Sequence, residues 1–177
     1  MKQLNKYMSE RLHINKDINS YNYYHKTRDE LKELVNKLVK ERGYNADLND
    51  IDTSEITDMS KLFYECKFND DISKWDVSKV EDMNFMFANS KFDGDLSNWD
   101  VSNVKDMHCM FYGSEFTGEH GDISKWDVSN IENIRAMFMG SKFNGDISNW
   151  NVSNVYDMRS MFYKSPLEKN PPKWYKN

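Results

Sequence analysis

Proline occurs three times in these 177 residues, glycine seven times and cysteine twice. So little proline and glycine argues against a linker-rich or low-complexity chain. Cys66 and Cys109 are too few to frame a disulfide-stapled fold, and without a C-x-x-C pair they suggest no zinc site. Long apolar runs are missing too; none approaches the roughly 18–20 residues that a membrane-spanning helix needs. The opening Met1-Lys2-Gln3-Leu4-Asn5-Lys6 has no apolar stretch, so no signal peptide is expected. The simple expectation is a soluble cytoplasmic protein of a reducing compartment, in the host cytoplasm if phage-encoded. No glycine-rich phosphate loop occurs, since Asp93-Gly94-Asp95 would repel phosphate.

What is present is uneven. Hydrophobic residues make up 38% and aromatics 14%, which suits a core of Trp, Phe and Met more than one of Leu and Ala. Residues 1–43 carry ten Lys and Arg against six Asp and Glu, whereas residues 44–177 carry fourteen against twenty-three, a balance of −9. That second part should repel nucleic acid and anionic lipid and favour basic partners.

The acidic part repeats itself. Asp71-Ile-Ser-Lys-Trp-Asp-Val-Ser78 recurs as Asp95–Ser102, Asp122–Ser129 and Asp146–Ser153, with Trp75, Trp99, Trp126 and Trp150 spaced 24, 27 and 24 apart. Asp47–Ser54 reads as a degenerate first copy and Pro171-Pro-Lys-Trp174 as a truncated last one. The three-residue excess of the third unit falls at Ser114–Asp122, where a repeat array tolerates insertions. In Ile72-x-x-Trp75-x-Val77 the last apolar pair alternates, which suits a short strand. The next stretch, Val80-x-x-Met83-x-x-Met86-Phe87, spaces apolar residues by three and four, as one side of a helix does. Ser78 with Glu81, and Ser129 with Glu132, read as capping boxes, and Asp82, Asp106 and Asp157 sit where a first helical turn favours negative charge. The expected fold is therefore an α/β right-handed solenoid of about 24 residues per strand–helix unit, its strands in a parallel sheet.

The string Trp99-Asp-Val-Ser-Asn-Val-Lys-Asp-Met-His-Cys-Met-Phe111, with its Phe-x-Gly-Asp-[Ile/Leu]-Ser link, resembles the BspA-like leucine-rich repeats of bacterial surfaces and some phage genomes. The likeness covers about residues 47–165 and implies a leucine-rich-repeat solenoid with a binding role and no common active site.

Residues 1–46 are expected to form the N-terminal segment and a helical cap, and residues 166–177 a C-terminal cap. Thr27-Arg-Asp-Glu30 reads as a capping box for a helix bearing Leu31, Leu34, Val35, Leu38 and Val39 and stopping at Gly43. Leu4, Tyr7, Met8, Leu12 and Ile14 suit one or two helical turns, and Tyr21-Asn-Tyr-Tyr24 is aromatic surface for packing or recognition. Trp174-Tyr175 is expected to cover the last strand.

Candidate binding residues lie at the outward positions of the expected strands. Asp52, Asp76, Asp100 and Asp127 align as a row of carboxylates about 4.8 Å apart. Beside them stand Lys74, Asn98, Lys125, Asn149 and Asn151. Two readings stay open: the Asp row bonds the backbone at a turn, with Lys74 and Lys125 partly neutralising it, or it forms a recognition face. Asp71, Asp95, Asp122 and Asp146 read as turn-satisfying groups. In the inserted turn, Glu119 and His120 are further candidates; with Asp122 they make a weak metal set, and no metal or cofactor is expected. Nearly every polar residue repeats with the scaffold, so no nucleophile–base pair stands out and no enzyme is expected. The leading expectation is a protein-binding module acting through the acidic face and the inserted loop, its partner a protein with a basic surface. Direct nucleic-acid and membrane binding are not expected. Two alternatives remain: a phage-type inhibitor of a host or defence nucleic-acid enzyme by acidic mimicry, and a surface adhesin module.

Overall fold

The computed structural model describes residues 21–176. The helical turns expected around Leu4, Tyr7, Met8, Leu12 and Ile14 lie outside the described residues.

One α-helix is present among them, α1 (Arg28–Arg42). The Thr27 hydroxyl accepts the Glu30 amide at 3.3 Å, Glu30 reaches back to the Lys26 amide at 3.4 Å, and Asp29 and Glu30 sit at the positive end of the helix dipole. Gly43, at φ +97°, ends it with its amide on the Val39 carbonyl at 3.0 Å. Leu31, Leu34, Val35, Leu38 and Val39 are buried together. Arg28 and Lys32 donate to the Ser60 and Lys61 carbonyls, so α1 lies over the first repeat unit. Beside it the Tyr23–Tyr24 strand, β1, pairs in parallel with β2 (Ile51–Asp52). Arg42 locks this corner: its guanidinium grips Asp50 at 3.0 and 2.8 Å, stands 5.8 Å from the Tyr23 ring centre, and holds the Asp50 carboxyl below its ordinary range. The aromatic Tyr21–Tyr24 segment is thus partly spent on pairing with the first unit.

The repeats correct the expected fold. Residues 53–165 hold neither strand nor helix; they are successive turns joined by isolated parallel bridges Asp58–Asp82–Asp106–Asn133–Asp157. The protein is therefore not an α/β leucine-rich-repeat solenoid, and none of the described repeats is a strand–helix unit. Among the described residues the one sheet has two two-residue strands and sits at their N-terminal end.

Two local causes defeat the helix. Asp82, expected to favour a first helical turn, instead accepts the Asn84 amide at 2.8 Å in an Asx turn, the competing bond that Asp offers a backbone. Ser78 caps nothing: its amide and hydroxyl both go to Asp76, at 3.0 and 2.6 Å, while Glu81 pairs with Lys105 of the next unit at 2.7 Å. Farther on, two positions four apart adopt left-handed backbone in each unit, among them Lys61 and Glu65, Phe85 and Asn89, Cys109 and Gly113, Ala136 and Gly140. A right-handed helix does not survive such residues, each costing on the order of 1 kcal/mol when it carries a Cβ.

That cost is offset between units. Amides alternate along Met83–Asn89: those of Met83, Phe85, Phe87 and Asn89 donate forward to Asp106, His108, Met110 and Tyr112 of the next unit at 2.7–2.9 Å. Those of Met86 and Ala88 close turns on the carbonyls three residues back, at 3.2 and 3.1 Å. Apolar spacing by three and four arises from these turns. The expected strand Ile72–Val77 is likewise a turn, with the Trp75 amide on the Ile72 carbonyl at 3.1 Å.

Packing follows the same register. Phe63, Phe87, Phe111, Phe138 and Phe162 stack face to face at 5.3, 5.5, 5.6 and 6.1 Å, with planes within 4° of parallel. Each tryptophan indole donates to the preceding unit: Trp75 to Leu48, Trp99 to Ile72, Trp126 to Leu96, Trp150 to Ile123 and Trp174 to Ile147, all at 2.9–3.2 Å. Trp174, the fifth tryptophan, therefore continues the row one copy further, and with Tyr175 it packs on Phe162.

Candidate functional site

Short polar turns set the surface. Asp71, Asp95, Asp122 and Asp146 each accept the amide two residues on, from Ser73, Ser97, Ser124 and Ser148, at 2.8–2.9 Å. Asp52, Asp76, Asp100 and Asp127 do the same with Ser54, Ser78, Ser102 and Ser129 at 2.9–3.1 Å, and Asn151 with Ser153 at 3.2 Å. The repeat thus aligns these five side chains unit by unit, as the 24-residue register requires. Asp76, Asp100 and Asp127 remain exposed, and among the described residues none of the four carboxylates is ion-paired. The Ser129 hydroxyl and backbone amide, both donating to it, hold the Asp127 carboxyl below its ordinary value. Lys74 and Lys125 are exposed beside the row without closing an ion pair on it, and Asn98 and Asn149 are exposed too.

The inserted loop is tied down by one carboxylate. Asp93 accepts the Thr117 amide at 2.7 Å and its hydroxyl at 2.9 Å, and His120 Nδ1 stands 3.1 Å from its other oxygen. His120 thereby closes one side of a shallow groove of about 430 Å³ lined by Asn69, Asp70, Asp71, Ser73, Asp93, Gly94 and Asp95. Glu119 is exposed, its amide on the Thr117 hydroxyl at 3.1 Å. Among the described residues no group of three or more His, Cys, Asp or Glu is arranged to hold a metal ion. Nor is any described helix long and apolar enough to cross a membrane.

A second row escaped the sequence reading, which placed its members in helices. Asp58, Asp82, Asp106, Asn133 and Asp157 pair as parallel bridges, and each accepts the amide two residues on. The signal was available: Asp-Met-x-x-Met repeats the Asp-x-polar spacing already read as a turn at Asp71. Burial, with Asp106 and Asp58 on the neighbouring rungs, pushes the Asp82 carboxyl above its ordinary value. At the end of the row Arg159 grips Asp157 at 2.9 and 2.6 Å and holds its carboxyl down at about 2.

Asn133 shows what a neutral rung does, donating its amide nitrogen to Asp106 at 3.2 Å. Asp82→Asn should keep the turn bond and remove a repelled charge. A raised folded-state value means the Asp82 contribution is most favourable below its unfolded value and is lost as pH rises through the folded one. The variant should therefore be more stable than the parent at pH 7 by a few tenths of a kcal/mol, since the site is half exposed and screened. That difference should close in urea unfolding as pH is lowered through the carboxylate range. A variant less stable at pH 7 would show that Asp82 is favourable as a charge.

Cross-unit amide ladders, stacked aromatic rings and outward carboxylate rows define a repeat protein built of turns. The chain belongs to the family described as Mycoplasma protein of unknown function, DUF285, which matches residues 29–119 and 114–175. No curated protein and no solved structure matches it.

Proposed function

We propose that the protein is a non-enzymatic binding module that recognises a basic protein surface through Asp52, Asp76, Asp100 and Asp127, with Lys74, Lys125, Asn98, Asn149 and Asn151 setting the rim and the Glu119–His120 loop at one side. The supporting observation is the row itself: carboxylates held in register by Ser amides, mostly exposed, and unpaired with any described cation. Holding each side chain by a turn bond lowers the ordering cost on binding. A repeated row presents charge over several units, which suits an extended basic patch better than a small ligand. The resemblance of Trp99–Phe111 to BspA-like repeats supports a binding role, and the −9 balance of residues 44–177 favours a cationic partner without direct nucleic-acid or membrane binding. Action in a cytoplasm belongs to the same reading.

Affinity capture from the source cell, wild type against Asp52/Asp76/Asp100/Asp127→Asn at 50 and 500 mM salt, tests this. Asparagine preserves the turn, as Asn151 does in the fifth unit, so the variant removes charge and little else. The expected result is a partner retained by wild type at low salt, weakened at high salt and lost by at least tenfold in the variant. A partner retained equally by both proteins would make the row scaffold alone. A captured nucleic-acid enzyme would favour acidic mimicry of a phosphate backbone, and an extracellular ligand would favour the adhesin reading.

A further inference from the structure

The forward-donating amides give each unit a direction, and among the described residues no further unit stands in front of the fifth. In the fourth unit Ile134, Ala136 and Gly140 donate to Asp157, Arg159 and Tyr163 at 2.8–3.0 Å. Their fifth-unit counterparts, the amides of Met158, Ser160 and Lys164, have no acceptor among the described residues. Val152, Val155 and Met158 are only partly buried, whereas Val128, Ile131 and Ile134 at the same positions are at most 2% exposed. Trp174 and Tyr175 cover the Phe162 side of this end and leave that apolar trio open. Residues 158–176 carry five Lys and Arg against one Glu, the reverse of the acidic side face.

We infer that this C-terminal end is a second interaction surface, which takes an acidic peptide segment of a partner protein patterned like the Val-x-Asp-Met-x-x-Met-Phe half-unit. Such a segment presents backbone carbonyls to the three donors, apolar side chains to Val152, Val155 and Met158, and carboxylates to the surrounding cations. The preceding units show what fits: each equivalent face is covered by a half-unit of this pattern, several of them acidic. A second copy of the chain is a poor occupant. Its own first unit is covered by α1, with Arg28 on the Ser60 carbonyl, one of those that would be needed, and two C-terminal ends face to face would set donor against donor. This surface is separate from the Asp row, so it stands or falls independently of the function proposed above.

The probe is a blocked synthetic peptide of residues 80–90, Val-Glu-Asp-Met-Asn-Phe-Met-Phe-Ala-Asn-Ser, titrated into the full chain by calorimetry. It should bind saturably, with at least tenfold weaker binding for a Glu81/Asp82→Lys peptide and for Val155→Asp protein. Because Val155→Asp could loosen the last unit, amide hydrogen exchange on the wild-type protein supplies a second readout: Ser160 and Lys164 should slow at least tenfold with peptide bound. No saturation to millimolar peptide, equal binding by a scrambled peptide, or unchanged exchange would overturn the proposal. Concentration-dependent dimerisation in sedimentation would overturn it in favour of a second copy.

Discussion

Trp99→Ala is expected to lower the free energy of unfolding by about 3–5 kcal/mol, the usual loss for a buried tryptophan. Trp99 is 4% exposed, its ring centre lies 6.2 Å from that of Phe87, and its indole donates to the Ile72 carbonyl at 3.2 Å. Truncation therefore opens a cavity in the middle of the array and removes one of the two hydrogen bonds to the Ile72 carbonyl, which keeps the Trp75 amide. Trp99→Phe separates the two losses. It keeps most of the apolar volume and loses the hydrogen bond, and should cost about 1–3 kcal/mol. Urea unfolding followed by tryptophan fluorescence and circular dichroism reads both. Since unit stability here depends on neighbours, the Ala variant should also show the two probes separating, as the halves on either side of the gap unfold apart. Unchanged stability in Trp99→Ala would mean that the inward face has been misassigned.

Gly121→Ala is expected to be the next most damaging single change, at about 1–3 kcal/mol. A Cβ there would meet the Leu96 amide nitrogen at 2.7 Å and the Asp95 Cα at 3.0 Å, both backbone atoms of the preceding unit. Backbone cannot rotate aside as a side chain does, so the two units must part locally. Gly140→Ala is the control. Its Cβ would find nothing closer than 3.8 Å, and its φ of +67° leaves only the left-handed cost of about 1 kcal/mol. Ala136, already at φ +52°, shows that the array accommodates such a residue. If the two glycine variants lost equal stability in urea, close unit-to-unit approach at Gly121 would not be what that glycine provides.

How much was legible depends on where each group finds its partner. The Trp and Met-Phe spacing located the repeat units, the inward residues and the place of the extra loop, because burial selects residue type whatever the backbone does. The helix over Arg28–Arg42 was readable for a local reason: its cap, its apolar stripe and its glycine stop all act within one segment. The Asp row was readable as an outward alignment, but the sequence left open whether its members bond the backbone, and the structure places each on a Ser amide.

The conformation of the units was not legible. Val80-x-x-Met83-x-x-Met86-Phe87 has the same spacing whether the chain coils as a helix or folds back in turns. What separates the two is the destination of alternate amides, and that destination is a carbonyl about 24 residues away. By itself, then, the sequence determined the period, the buried set, the capping helix and the acidic outer rows, all consequences of side-chain polarity and short-range turn chemistry. Only the tertiary structure decided that Phe85 and Ala136 sit left-handed, that Asp82 pairs across units instead of lying in a first helical turn, and that the Met158, Ser160 and Lys164 amides of the fifth unit find no acceptor among the described residues. Each of those features is set by hydrogen bonds between units, which exist only once the units are stacked.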